Sequence, residues 1–234
     1  MKQLISLGIA GMLILCAVPA RAESGVAFGL KAGTLGAGTE LGVGLNEYFG
    51  LRAGINYLKF SFDSTISNVD YDMEPEFKNG ALLLDVHPFG GSFRLTGGMY
   101  INDNSINLSG TPRTNEWLGN YTLPSGYARY EDLLGSVKIN GNVEFNTLAP
   151  YVGFGWDSNP ARNAGLGFAF ELGVLYQGSP KVSTLTVSAP AALRGLESDP
   201  AVVDALESEK KAIEDELDGY EYYPVATFTV CYIF

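Results

Sequence analysis

From residue 25 onward, large apolar residues recur at every second position with glycine, small polar residues and single charges between them. In 25–35, Val26, Phe28, Leu30 and Ala32 alternate with Ala27, Gly29, Lys31 and Gly33. In 165–177, Leu166, Phe168, Phe170, Leu172, Val174 and Tyr176 alternate with Gly167, Ala169, Glu171, Gly173 and Gln177. The same period runs through 37–46, 50–62, 79–87, 93–102, 149–157 and 223–234. A period of two is the signature of a strand with two unlike faces. Eight such segments predict an all-β chain of eight strands, each near the 9–11 residues that a tilted strand needs to cross a bilayer.

The two faces decide between a sandwich and a barrel. A water-facing surface of a soluble sandwich carries Lys, Glu, Ser and Gln, whereas the small face here repeats Gly, Thr and Asn with isolated charges. Such a face suits the narrow interior of a small barrel, with the large apolar face toward lipid. Backbone left unpaired in hydrocarbon is costly, so the sheet is expected to close. The expectation is an eight-stranded antiparallel transmembrane β-barrel. Short turns are expected at Asn46–Phe49, Pro88–Ser92 and Asp157–Ala164, and a short hairpin at Gly36-Ala37. Long connections fall at 63–77, 103–147 and 178–221. Short turns belong on the periplasmic side and long loops outside, so an even strand number puts both termini in the periplasm. Ser136–Phe145, with the turn signal Asn140-Gly141, is where an extra hairpin could raise the strand number.

Residues 1–22 read as a secretory signal peptide. Lys2 precedes the apolar stretch Leu4–Val18, Pro19 breaks it, and Ala20-Arg21-Ala22 forms a cleavage site. The barrel domain is then 23–234. The net charge of −11 excludes the basic surface that nucleic acid requires. Of two cysteines only Cys231 lies beyond the signal segment, so no internal disulfide is expected. It points inward and reads as an inert small residue. The single histidine, His87, lies two residues from Asp85, but no nucleophile motif accompanies it. It reads as a hydrogen-bonded interfacial residue, no enzyme is expected, and no cofactor or metal is implied.

Inward parity gathers Lys31, Glu40, Arg52, Asp85, Arg94 and Glu171, three of each sign. They form either a static plug or a gated ion path through switching salt bridges. Aromatic residues collect at strand ends. Tyr48, Phe49, Phe89, Phe93, Trp156, Tyr232 and Phe234 fall on the periplasmic side, and Tyr57, Phe60, Phe62, Tyr176, Tyr222 and Tyr223 on the other, as two interfacial girdles.

One segment departs from the strand period. Asp199 is an N-cap, Pro200 fits the first helical position, and Gly219 fits the C-terminal cap. Between them Val203, Leu206, Ile213 and Leu217 make an apolar stripe, with Glu207, Glu209, Glu214, Asp215 and Glu216 on the other faces. An amphipathic helix is expected at about 199–219, outside the cell. It is either a solvated cap over the other loops or a surface facing a partner or lipopolysaccharide.

The last ten residues, Val225 to Phe234, place Phe228, Val230, Tyr232 and Phe234 at every second position. This resembles the C-terminal signature of bacterial outer-membrane barrels. With the signal segment and the Gly-aromatic strands, the chain resembles the small barrels of the OmpA/OmpW type. Asp85–Arg94 and Ala149–Trp156 resemble segments of uncharacterised members. The resemblance implies a Gram-negative outer-membrane location, lipid and lipopolysaccharide as surroundings, the barrel-assembly machinery as partner during biogenesis, and a monomer. It implies a non-enzymatic function: a structural role, or binding or passage of small apolar compounds. A surface adhesion or interaction role for the loops is the alternative, and lipid modification a remote one.

Overall fold

The computed structural model describes residues 25–66, 69–112, 136–159, 163–191, 195 and 198–234; the expected signal segment, 1–22, lies outside them. The strands are β1 (Val26–Gly33), β2 (Gly36–Gly44), β3 (Phe49–Lys59), β4 (Phe62–Ile66), β5 (Val69–Val86), β6 (Phe93–Asn102), β7 (Ser105–Pro112), β8 (Lys138–Glu144), β9 (Leu148–Asp157), β10 (Gly165–Tyr176), β11 (Lys181–Val182), β12 (Thr186–Ser188) and β13 (Tyr222–Ile233). Helix α1 spans Pro200–Leu217, followed by a 3-10 turn at Asp218–Glu221.

Eight of these strands close a ring in the order β1-β2-β3-β5-β6-β9-β10-β13. β13 returns to β1 with Ala27 opposite Ile233 and Gly33 opposite Thr227. Closure leaves the ring no edge strand, the condition for crossing hydrocarbon. The alternation turns the large apolar face outward: Leu30, Ile55, Leu82, Leu95, Val152, Phe168 and Phe228 are all exposed. So continuous an apolar belt belongs in lipid rather than water. The two chain ends share one rim, where the Phe234 N–H donates to Val26 O at 2.9 Å. At that rim the Phe93 ring lies 5.8 Å from Trp156, and at the other Tyr176 lies 5.1 Å from Tyr222. Tyr48, Phe49, Phe89 and Tyr57 are exposed at the same two levels.

The long connections are not plain loops. β5 buries every second residue from Val69 to Asp85, twice the length the barrel needs. Its lower half, from Asn79, lies between β3 and β6. Its upper half leaves the ring and lies between β4 and β7. β8 joins β7, and β11 and β12 join β8. Thus 63–77, 103–147 and 178–221 carry a second sheet that continues one wall of the barrel. Asn140-Gly141 makes no turn: β8 runs straight through it and pairs with β7 on one side, so the ring stays at eight.

Since the buried parity of β5 is unbroken, the face that lines the lumen below is the face that α1 covers above. The core of this cap joins Val69, Tyr71, Met73, Leu108, Ile139, Val143 and Val182 to Ile213 and Leu217, with Leu206 packed against it. Leu206, Ile213 and Leu217 face the core as expected, but the stripe begins at Val202 rather than Val203. Val202 is 3% exposed, whereas Val203, placed on the stripe from sequence, is 41% exposed. Glu209, expected on the wet face, is buried and accepts a hydrogen bond from the Tyr71 hydroxyl at 2.9 Å. Burial and that carboxylate push the Tyr71 phenol well above the ordinary tyrosine range, so it remains the donor. The first hairpin turns at Thr34-Leu35, not Gly36-Ala37, with Gly36 in the left-handed region at φ +98°.

Candidate functional site

The inward charges meet in one layer across the lumen, with Arg52 at its centre. Arg52 stands on β3, and its guanidinium takes Asp85 of β5 in a bidentate pair, Nε to Oδ2 at 2.6 Å and Nη2 to Oδ1 at 2.9 Å. Its Nη1 reaches Glu40 Oε2 of β2 at 3.3 Å, and its Nη2 donates to Glu171 Oε2 of β10. Arg94 of β6 donates to the same Glu171 oxygen at 2.7 Å. Lys31 Nζ lies 3.6 Å from Glu40 Oε2. The six are between 4% and 9% exposed. The fork geometry of arginine explains the arrangement: one planar cation can hold carboxylates arriving from three strands.

Two further titratable groups join the layer. Asp157 accepts from Arg94 Nη1 and lies 3.0 Å from His87 Nε2. His87 is buried rather than interfacial, and its partner is Asp157 of β9, not its sequence neighbour Asp85. Asp157 follows the inward parity of Gly153 and Gly155, and that parity was the available signal. It falls where a turn was expected because β9 runs to its end. Thr96 donates to Asp85 at 2.8 Å, and Tyr151 donates to Glu171 Oε1 at 2.7 Å.

Below the layer, toward the chain ends, lies a vestibule of about 90 Å³. Its floor is Arg52, Glu40 and Asp85, and glycines and Cys231 form its wall. Above the layer the lumen is filled twice more. Leu35, from the first hairpin tip, packs with Leu83, Tyr100, Tyr151, Leu175 and Val225. Tyr151 fits because Gly173 leaves its place: a Cβ there would sit 2.3 Å from the Tyr151 hydroxyl oxygen. Over this apolar layer runs a chain of amides. Asn56 donates to Asn79 at 2.9 Å, Asn79 to Asn104 at 2.8 Å, and Asn104 to Gln177 at 3.4 Å. The cap core follows. Charges, apolar side chains and amides thus stack along one axis.

Among the described residues no group of three His, Cys, Asp or Glu side chains is placed to hold a metal ion. No described helix is long and apolar enough to cross a membrane.

The chain is similar in fold to CarO. Crystal structures of Acinetobacter baumannii CarO2 and CarO align with 90% of this chain and 98% of their own at 25% identity, with TM-scores of 0.55 and 0.54. No family model matches the chain, and no curated protein matches it. The similarity to CarO covers the cap as well as the ring, since 90% of the chain exceeds the ring strands alone.

Proposed function

We propose that the protein is a non-enzymatic outer-membrane β-barrel whose lumen is closed, and that it serves as a membrane-embedded base for its folded cap. The observation that carries this reading is the Arg52 layer. Seven strands contribute charged side chains to it or to its immediate partners, and the pairs meet across the lumen. An eight-stranded interior is just filled by side chains, so a closed lumen is the expected state of a barrel this narrow. The lipid-facing belt, the alternation ending at Phe234 and the full-length likeness to CarO support an outer-membrane location. Kinship with OmpA/OmpW-type barrels, a monomeric state and lipopolysaccharide around the belt belong to the same proposal. The common rim of both termini is assigned to the periplasm, and the cap to the outside. His87 lies inside the charge layer, which supports a structural role for it rather than a hydrolytic one.

A second reading, binding of small apolar compounds, requires the packed layer of Leu35, Leu83, Tyr100 and Leu175 in the outer half of the lumen to open. Swelling assays on vesicles carrying the protein separate the two. The closed reading expects no entry of small sugars, and no displacement of an environment-sensitive apolar dye by candidate compounds. Dye uptake into the barrel with saturation would favour the second.

A further inference from the structure

The vestibule below the Arg52 layer is lined by unequal charge. Glu40, Asp85 and Asp157 face it against Arg52 and Arg94, with His87 beside them. The whole layer repeats the surplus: Glu171 joins the carboxylates and Lys31 the cations, four against three. An unbalanced carboxylate shielded by protein is costly, so it draws a positive charge. The vestibule therefore favours a cation over an anion. A single positive charge balances the surplus, whereas a divalent ion would reverse it. Among the described residues, moreover, no three carboxylate, thiol or imidazole side chains are placed to hold a divalent ion.

Two oxygens open toward the same space. Glu40 gives Oε2 to both Arg52, at 3.3 Å, and Lys31, at 3.6 Å, while no described group bonds its Oε1. Thr229 is 3% exposed and lines the vestibule, yet among the described residues its hydroxyl has no hydrogen-bond partner. Neither oxygen is sealed off by protein, so both meet the vestibule. A buried hydroxyl without a partner is uncommon in folded proteins and marks a place for a bound ion or water. Gly29 makes the room between the two. A Cβ there would lie 2.8 Å from Thr229 Cγ2, 3.2 Å from Glu40 Cγ and 3.5 Å from Cys231 Cβ. Side chains of β2 and β13 thus converge over the bare backbone of β1. The vestibule, about 90 Å³, holds an ion together with several waters.

We propose that the vestibule binds one hydrated alkali cation, held by Glu40 Oε1, the Thr229 hydroxyl and water. The site requires the closed ring and its charge layer, not the assignment of this rim to the periplasm. Crystals of the full chain soaked in rubidium bromide test it, with anomalous diffraction recorded at the absorption edge of each ion. The expected result is a rubidium peak beside Glu40 and no bromide in the vestibule. Glu40→Gln should abolish the peak. Thr229→Val, which keeps the shape of the side chain and leaves the Arg52 layer untouched, should weaken it. Bromide in the vestibule would contradict the charge argument. Absence of both ions would leave the surplus to His87, 3.0 Å from Asp157. A rubidium peak unchanged in both variants would mean that other groups hold it. Each of these three results overturns the proposal. Thr229→Val carries the test if Glu40→Gln loses the heat-modifiable mobility of a folded barrel.

Discussion

At the scale of the residue, Arg52 is the group on which the interior depends. Three buried carboxylates, Glu40, Asp85 and Glu171, share its guanidinium. Arg52→Met would leave them facing one another in a narrow lumen, and breaking a buried ionic network in this way costs about 3–5 kcal/mol. The expected result is a lower urea midpoint for the barrel in lipid vesicles. Arg52→Lys keeps the charge but loses the fork, so it should fall between wild type and Arg52→Met. Tyr151→Phe removes one hydrogen bond to a carboxylate, a loss of about 1.5–3 kcal/mol in the same assay. Gly173→Ala should be at least as damaging, because the added methyl displaces the Tyr151 ring. The six charges were legible as inward-facing from parity alone. Their pairing was not, because each partner arrives from a different strand: His87 and Asp157 are 70 positions apart in the chain. Sequence proximity had suggested Asp85 instead.

At the scale of the element, α1 shows how a correct helix can still be misread at single positions, here 203 and 209. Val202 and Val203 are adjacent, and either completes a three- or four-residue step to Leu206. The buried set Val202, Leu206, Glu209, Ile213 and Leu217 has steps of four, three, four and four. Position 209 lies in the middle of that stripe whatever residue occupies it, but a glutamate there reads as surface until Tyr71 supplies its partner. A pair of substitutions tests the phase. Val202→Asp should expose the cap to limited proteolysis, whereas Val203→Asp should leave its cleavage pattern unchanged. Glu207 is exposed, so Glu207→Cys in a Cys231→Ser background tests the side of the membrane. A membrane-impermeant thiol reagent should label it on intact cells; labelling only after the outer membrane is opened would place the cap in the periplasm. The strands of the cap were hidden for a different reason. Val69 to Phe77 alternates, but Asp70, Asp72, Glu74 and Glu76 on its other face, and Pro75 on the buried one, are the composition of a loop outside lipid. Above the membrane a strand is free to carry charges on its wet face, so composition there no longer separates strand from loop.

At the scale of the whole molecule, the eight ring strands were legible because lipid imposes one rule on all of them: large apolar residues outward at every second position. What lies beyond the bilayer obeys no such rule, and the second sheet and its core became visible only in three dimensions. The C-terminal strand carries a further expectation. Phe234 is largely exposed, and its backbone closes the rim against Val26. Deleting it should reduce the amount of heat-modifiable barrel in outer-membrane fractions; unchanged abundance would argue against an assembly role for Phe228, Val230, Tyr232 and Phe234. The central claim is that charges, apolar side chains and amides close the lumen above its vestibule. Single-channel recording of the purified full chain in a planar bilayer tests it most directly. The closed barrel predicts a flat baseline across the voltage range, whereas long-lived openings of the size that general porins show would contradict it.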